Sequence, residues 1–91
     1  MAEWQDLGER DLEKLAAEVN GGDYEARLVA SQGGRPYLHI RNRHAGVLTE
    51  NIYCGDGFYW FGWAERVAPV HDVTAAAEII RRVLRGVGTG Q

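Results

Sequence analysis

One cysteine, Cys54, stands in a chain of 91 residues. It cannot close an internal disulfide, so nothing in the fold needs an oxidising compartment. Basic charge is also short: ten Lys and Arg face thirteen Asp and Glu, giving a formal net charge of −3. That balance argues against a sequence-indifferent nucleic-acid or anionic-membrane binder, both of which rely on excess cations. No basic start with an apolar core opens the chain, and no apolar run is long enough to span a bilayer, so a cytoplasmic address is expected. Proline is scarce, with Pro36 and Pro69 alone, and both fall where extended structure is expected to break.

Recognisable chemical motifs are lacking too. His39, His44, Cys54, Asp56 and His71 match no metal-ligand spacing, and no metal or other cofactor is expected. Cys54 sits at a hairpin end with no helix N-terminus or cationic neighbour to activate it, which suits a small packing residue better than a nucleophile. Carboxylates paired for acid and base work are missing; Glu3, Glu9, Glu13 and Glu18 belong to one solvated helix face. The terminal Gly86-Val87-Gly88-Thr89-Gly90 string follows a helix instead of leading into one, so it reads as a flexible tail over 86–91 and not as a phosphate loop. No catalytic residue is assigned.

What is present is the composition of a folded protein, 45% hydrophobic and 25% charged, at the length of a single domain over 1–91. Leu12, Leu15, Ala16 and Val19 recur at helical spacing, and the Asp6 and Glu9 pair predicts a capped helix over 7–19 that stops at Asn20-Gly21-Gly22. Trp4, before that cap, is placed to fold back as a staple. From Tyr24 the period becomes two. Strands are predicted over 24–29, 37–41, 48–54 and 58–63, separated by the 32–36 breaker, the polar 42–46 loop and an Asp56-Gly57 turn. Asp72 is placed to cap a last helix carrying Val73, Ala76, Ala77, Ile80, Val83, Leu84 and Val87 on one face, with Arg81, Arg82 and Arg85 near its C-terminus.

The expected fold is therefore α+β: an N-terminal helix, a four-stranded antiparallel meander and a C-terminal helix, both helices on one sheet face. The other face is left open. With Leu28, Leu38, Ile40 and Ile52 against the helices, alternation sends Arg27, Val29, Tyr37, His39, Arg41 and Tyr53 outward. The run Phe58-Tyr59-Trp60-Phe61-Gly62-Trp63 holds five of the nine aromatic residues and adds rings in either register. A two-residue Asp56-Gly57 turn pairs Tyr53 with Trp60 on the open side, whereas a three-residue loop over 55–57 puts Tyr59, Phe61 and Trp63 there. Rings of about 150 to 250 Å² each exceed what a monomer normally leaves bare in one patch. A second copy, another protein, a ligand, or residues 64–71 folding back with Val67 and Val70 would cover them.

The strand ending in Tyr53-Cys54, the Gly-Asp-Gly turn, the aromatic run, WAERVAPV (residues 63–70) and the alanine-rich helix after it together resemble a group of small actinobacterial proteins to which no activity is assigned. The resemblance spans most of the chain and implies a cytoplasmic bacterial protein, some of whose relatives accompany regulatory genes. It agrees with a basic complement of nine arginines and one lysine, a usage typical of GC-rich genomes.

Taken with the open face, these features predict a non-enzymatic protein-interaction module that binds a partner, or a second copy of itself, through Tyr37, His39, Arg41, Tyr53, Phe58 and Trp60. His39 would make such binding respond to pH. A second class is a small-molecule binder or enzyme with a pocket between the sheet and 64–71, holding an anion by Arg66 or Arg41 beside Glu65 and His71. The third is a nucleic-acid platform, with Arg35, Arg41, Arg43 and His44 gathered at one sheet edge beside the rings; the acidic charge and the lack of a glycine-aromatic motif disfavour it.

Overall fold

In a computed structural model, which describes residues 2–30 and 35–85, seven elements follow one another. They are α1 (Ala2–Val19), β1 (Tyr24–Val29), β2 (Tyr37–Asn42), β3 (Ala45–Gly55), β4 (Phe58–Phe61), β5 (Arg66–Pro69) and α2 (Val73–Arg85). The sheet is an antiparallel meander in the order β1-β2-β3-β4-β5, and both helices pack on one face of it. The α+β class and the helix-sheet-helix order follow the sequence expectation. Residues 31–34, the tail from 86 and Val87 lie outside the described residues.

The sheet has five strands where four were expected. Residues 66–69, expected to carry the chain across to the last helix, instead pair with β4 and extend the sheet. A three-residue loop, Gly62-Trp63-Ala64, makes the connection: the Ala64 N–H donates to the Phe61 carbonyl and the Phe61 N–H to the Glu65 carbonyl. Ala64 takes φ +71°, the left-handed third position of such a loop. A register shift at Tyr59/Trp60 then sets Ala68 opposite Tyr59 and Arg66 opposite Trp60, and both Val67 and Ala68 enter the core.

Helix α1 also begins earlier than expected, at Ala2, so Asp6 lies within it and the Asp6–Glu9 cap does not start it. Its end is as expected. Asn20 closes the last turn on the Ala16 carbonyl, and Gly21 and Gly22 both hold positive φ. The Asn20 side chain then pairs with the outer edge of β1, accepting from the Ala26 N–H and donating to the Ala26 carbonyl, each at 2.9 Å. Two backbone groups that the edge strand would leave unpaired are thereby satisfied. At the other end, Asp72 accepts from the Ala75 N–H and caps α2 as expected.

One hydrophobic cluster joins the layers. Leu12, Leu15, Leu38, Ile40, Ile52, Tyr59, Ala76, Ala77 and Ile80 are fully excluded from solvent, and burial of each large aliphatic side chain contributes about 1.5 to 3 kcal/mol. Tyr59 carries a polar tip into this core, and its hydroxyl donates to the Asp11 carbonyl at 2.7 Å, pinning β4 to α1. Side chains also tie the C-terminal turns of the helices, one between α2 and α1 and one between β2 and α2. The Arg81 guanidinium donates to the Glu18 carbonyl in the last turn of α1 at 2.6 Å, and buried Asn42 donates to the Leu84 carbonyl at 3.1 Å. Each bond satisfies a helix-end carbonyl.

Candidate functional site

The turn between β3 and β4 decides which rings face away from the helices. Asp56 has φ +55° and Gly57 φ +79°, the two positive values that a type I′ turn needs. The two-residue register follows, with Cys54 opposite Tyr59 and Tyr53 opposite Trp60. Tyr59 and Phe61 go into the core; Tyr53, Phe58 and Trp60 go to the open face.

Across that face the residues form rows. Glu25, Arg41 and Thr49 make the first, and Arg27, His39 and Asn51 the second. A third runs from Val29 and Tyr37 through Tyr53 and Trp60 to Arg66. Gly55, Phe58 and Pro69 close it. All six residues expected on this face from the sequence, Tyr37, His39, Arg41, Tyr53, Phe58 and Trp60, therefore stand together. One end of the face is charged and the other aromatic.

The rings are in mutual contact. Tyr37 and Tyr53 have centroids 5.4 Å apart, and Phe58 meets Trp60 edge-on at 6.5 Å, arrangements worth about 0.5 to 1.5 kcal/mol each beyond area burial. The Trp60 indole N–H donates to the Gly55 carbonyl at 2.8 Å, which fixes the orientation of the ring. None of the four rings is fully exposed; each is half-buried.

Part of that cover comes from arginine. The Arg66 guanidinium lies 4.5 Å from the Phe58 centroid and 5.5 Å from that of Trp60. Arg35 lies 5.7 Å from the Tyr53 centroid while donating to the Cys54 carbonyl at 2.7 Å. Such cation–π contacts contribute about 0.5 to 1 kcal/mol at exposed sites. Neither arginine belongs to the six-residue face expected from the sequence. Arg66 reaches it through the register shift in β4–β5, which no spacing announces. Arg35 was expected beside Arg43 and His44, but those stand at the opposite end of β2, where His44 Nε2 is 2.8 Å from Asp23 Oδ1.

A groove of about 370 Å³ runs beside these rings, lined by Arg35, Tyr53, Asp56, Trp60, Gly62 and Ala64 among others. Ala64 is the one member of the 64–71 segment that lines it; Arg66 lies over Phe58 and Trp60 on the open face, and Glu65 and His71 are exposed and line no part of the groove. A smaller hollow of about 210 Å³ lies between Glu25, Arg27, His39 and Arg41 at the charged end. There Arg41 Nε donates to Glu25 Oε1 at 2.9 Å, holding the Glu25 carboxyl below its usual range through that hydrogen bond first and through charge second. His39 Nδ1 and Asn51 Oδ1 are 2.9 Å apart; with the amide oxygen accepting, the ring proton sits on Nδ1.

Cys54 points the other way, to the core side. Its thiol lies 3.8 Å from Asp11 Oδ2. Burial, and then the negative charge of Asp11, push its pKa up to about 11. A thiol held protonated is a poor nucleophile. Burial likewise raises the Tyr59 phenol, with Asp11 adding to the effect. Among the described residues no three His, Cys, Asp or Glu side chains converge to hold a metal ion, and no helix is long and apolar enough to cross a membrane. The chain matches no family model, no curated protein and no solved structure.

Proposed function

We propose that the protein is a non-enzymatic interaction module whose working surface is the open sheet face, with Tyr53, Phe58 and Trp60 as anchors and Arg35 and Arg66 beside them. The observation that carries this reading is the Tyr37, Tyr53, Trp60, Arg66 row with Phe58 beside it. It is a contiguous set of the residue types that supply most binding energy at protein interfaces, on a rigid sheet with its tryptophan already hydrogen-bonded in place. Anchors locked before binding lose little conformational freedom on association. His39 and Arg41 then form a polar margin on the same face.

The test is affinity capture from a lysate of the source cells, with the wild-type chain and with Trp60→Ala and Phe58→Ala variants as baits. The reading expects a discrete set of proteins held by the wild type and lost from both variants. A set unchanged in the variants, or none, contradicts it. Sedimentation across concentration distinguishes self-association, where the captured species is the chain itself and the same two substitutions return it to monomer.

A small ligand in the groove beside Trp60 is the second reading. A volume of about 370 Å³ falls within the range of small-molecule sites, and Arg35 on its wall suits an anion. A ligand that protects Trp60 fluorescence from quenching, and stops doing so in Arg35→Ala, would favour it.

A further inference from the structure

Resting on the interaction reading, we infer that the partner presents an acidic peptide segment with an apolar or aromatic anchor, and not a second copy of this chain. The inference comes from charge. The face and its groove carry four arginines, Arg27, Arg35, Arg41 and Arg66, against two carboxylates, Glu25 and Asp56, in a chain whose formal net charge is −3. Of the two carboxylates, Glu25 is already engaged by Arg41. Arg27, Arg35 and Arg66 make no ion pair among the described residues. The face is thus locally cationic on an acidic protein.

Arg35 and Arg66 are also held in place. Each lies over an aromatic ring, a pose that keeps the guanidinium beside the anchors. The Arg66 fork is open to a bidentate carboxylate, and Arg35, with one donor held by the Cys54 carbonyl, offers its remaining N–H groups. Charged partners on either side of Tyr53 and Trp60 would flank an apolar side chain set into the groove. Two copies meeting face to face would bring the same arginines together, and like charges juxtaposed in an interface weaken it. A symmetric dimer through this surface is therefore disfavoured by the same charges that suit an acidic partner.

Random peptides displayed on phage, selected against the full chain at low salt, test the inference. The selected pool should be enriched in Asp and Glu next to a bulky apolar residue. Synthetic copies should bind about tenfold or more weakly to Arg35→Glu and Arg66→Glu, with unchanged affinity for Arg82→Glu, which makes the same charge change on the exposed side of α2. Circular dichroism establishes that the variants are folded. A pool that loses binding with Trp60→Ala yet shows no acidic bias overturns the acidic partner and spares the interaction reading. No enrichment, or binding indifferent to Trp60→Ala, overturns both. Tighter binding of an oligothymidylate than of any selected peptide, or concentration-dependent dimerisation abolished by Trp60→Ala, overturns the choice of occupant.

Discussion

Trp60 stands directly opposite Tyr53 on neighbouring antiparallel strands, and the Asp56-Gly57 turn puts it there. A strand displaced by one residue would send Tyr59 and Phe61 outward and Trp60 into the core. The turn therefore sets the composition of the face as well as the path of the chain. Gly57 at φ +79° is the position least able to accept a side chain. Gly57→Val should destabilise by about 1 to 2 kcal/mol, read as a lower urea midpoint. Asp56→Asn, at φ +55°, should be close to neutral, because asparagine tolerates the left-handed region.

Ala64 holds φ +71° with a side chain that makes this backbone unfavourable. Ala64→Gly should raise stability by about 0.5 to 1 kcal/mol, the relief of left-handed strain less the extra freedom glycine gives the unfolded chain. Urea melts of the two proteins measure it. A loss of stability would show that the loop does not hold this conformation.

Alkaline pH should loosen the fold through the core side of the sheet. Cys54 titrates near 9.0 when unfolded and about 11 when folded. Over that interval the unfolded chain binds fewer protons than the folded one, so stability is unaffected below the unfolded pKa and falls as pH rises through the window. Tyr59, raised from 10.0, adds a fall that begins higher. In Cys54→Ala the early part should vanish and the later part remain, as urea midpoints followed from neutral pH upward will report.

Glu25 behaves in the opposite sense. Its carboxyl is held below the ordinary 4.5, chiefly by the hydrogen bond from Arg41, so the pair's contribution is present above the unfolded value and lost as pH falls through the folded one. The Glu25 side-chain resonance should titrate below its ordinary value in the wild type and move up towards it in Arg41→Gln, with Arg43 and Arg27 still acting on it. No change on substitution would contradict the pairing.

The parts of this architecture that were legible in the sequence were set by local chemistry. Asp72 at the start of α2, Asn20-Gly21-Gly22 at the end of α1 and Asp56-Gly57 in the hairpin each act on their own neighbours. Alternation put Tyr37, His39, Arg41 and Tyr53 on the open face, because a period of two leaves no other choice once Leu38, Ile40 and Ile52 are buried. Which rings of 58–63 join them stayed open between two hairpin registers, and the Asp56-Gly57 turn decides it. What escaped was set at long range. Strand β5 lacks alternation, since the register shift brings Val67 and Ala68 together into the core, and four residues including a proline carry little strand signal. Arg66 and Arg35 cover the rings only because that shift and the backbone before β2 bring them there. The Asn20, Asn42 and Arg81 side chains close strand and helix ends through bonds between residues remote in the sequence or across a turn, where composition offers no cue.

The claim on which the account turns is that a protein docks on the open face. Its most direct measurement is photo-crosslinking in the source cells, with benzoylphenylalanine placed at Tyr53 in one variant and at Arg82, on the exposed side of α2, in another. The account predicts a discrete protein adduct from position 53 and none of that mass from position 82. Equal adducts from both positions, or none from position 53 in a folded variant, would contradict it.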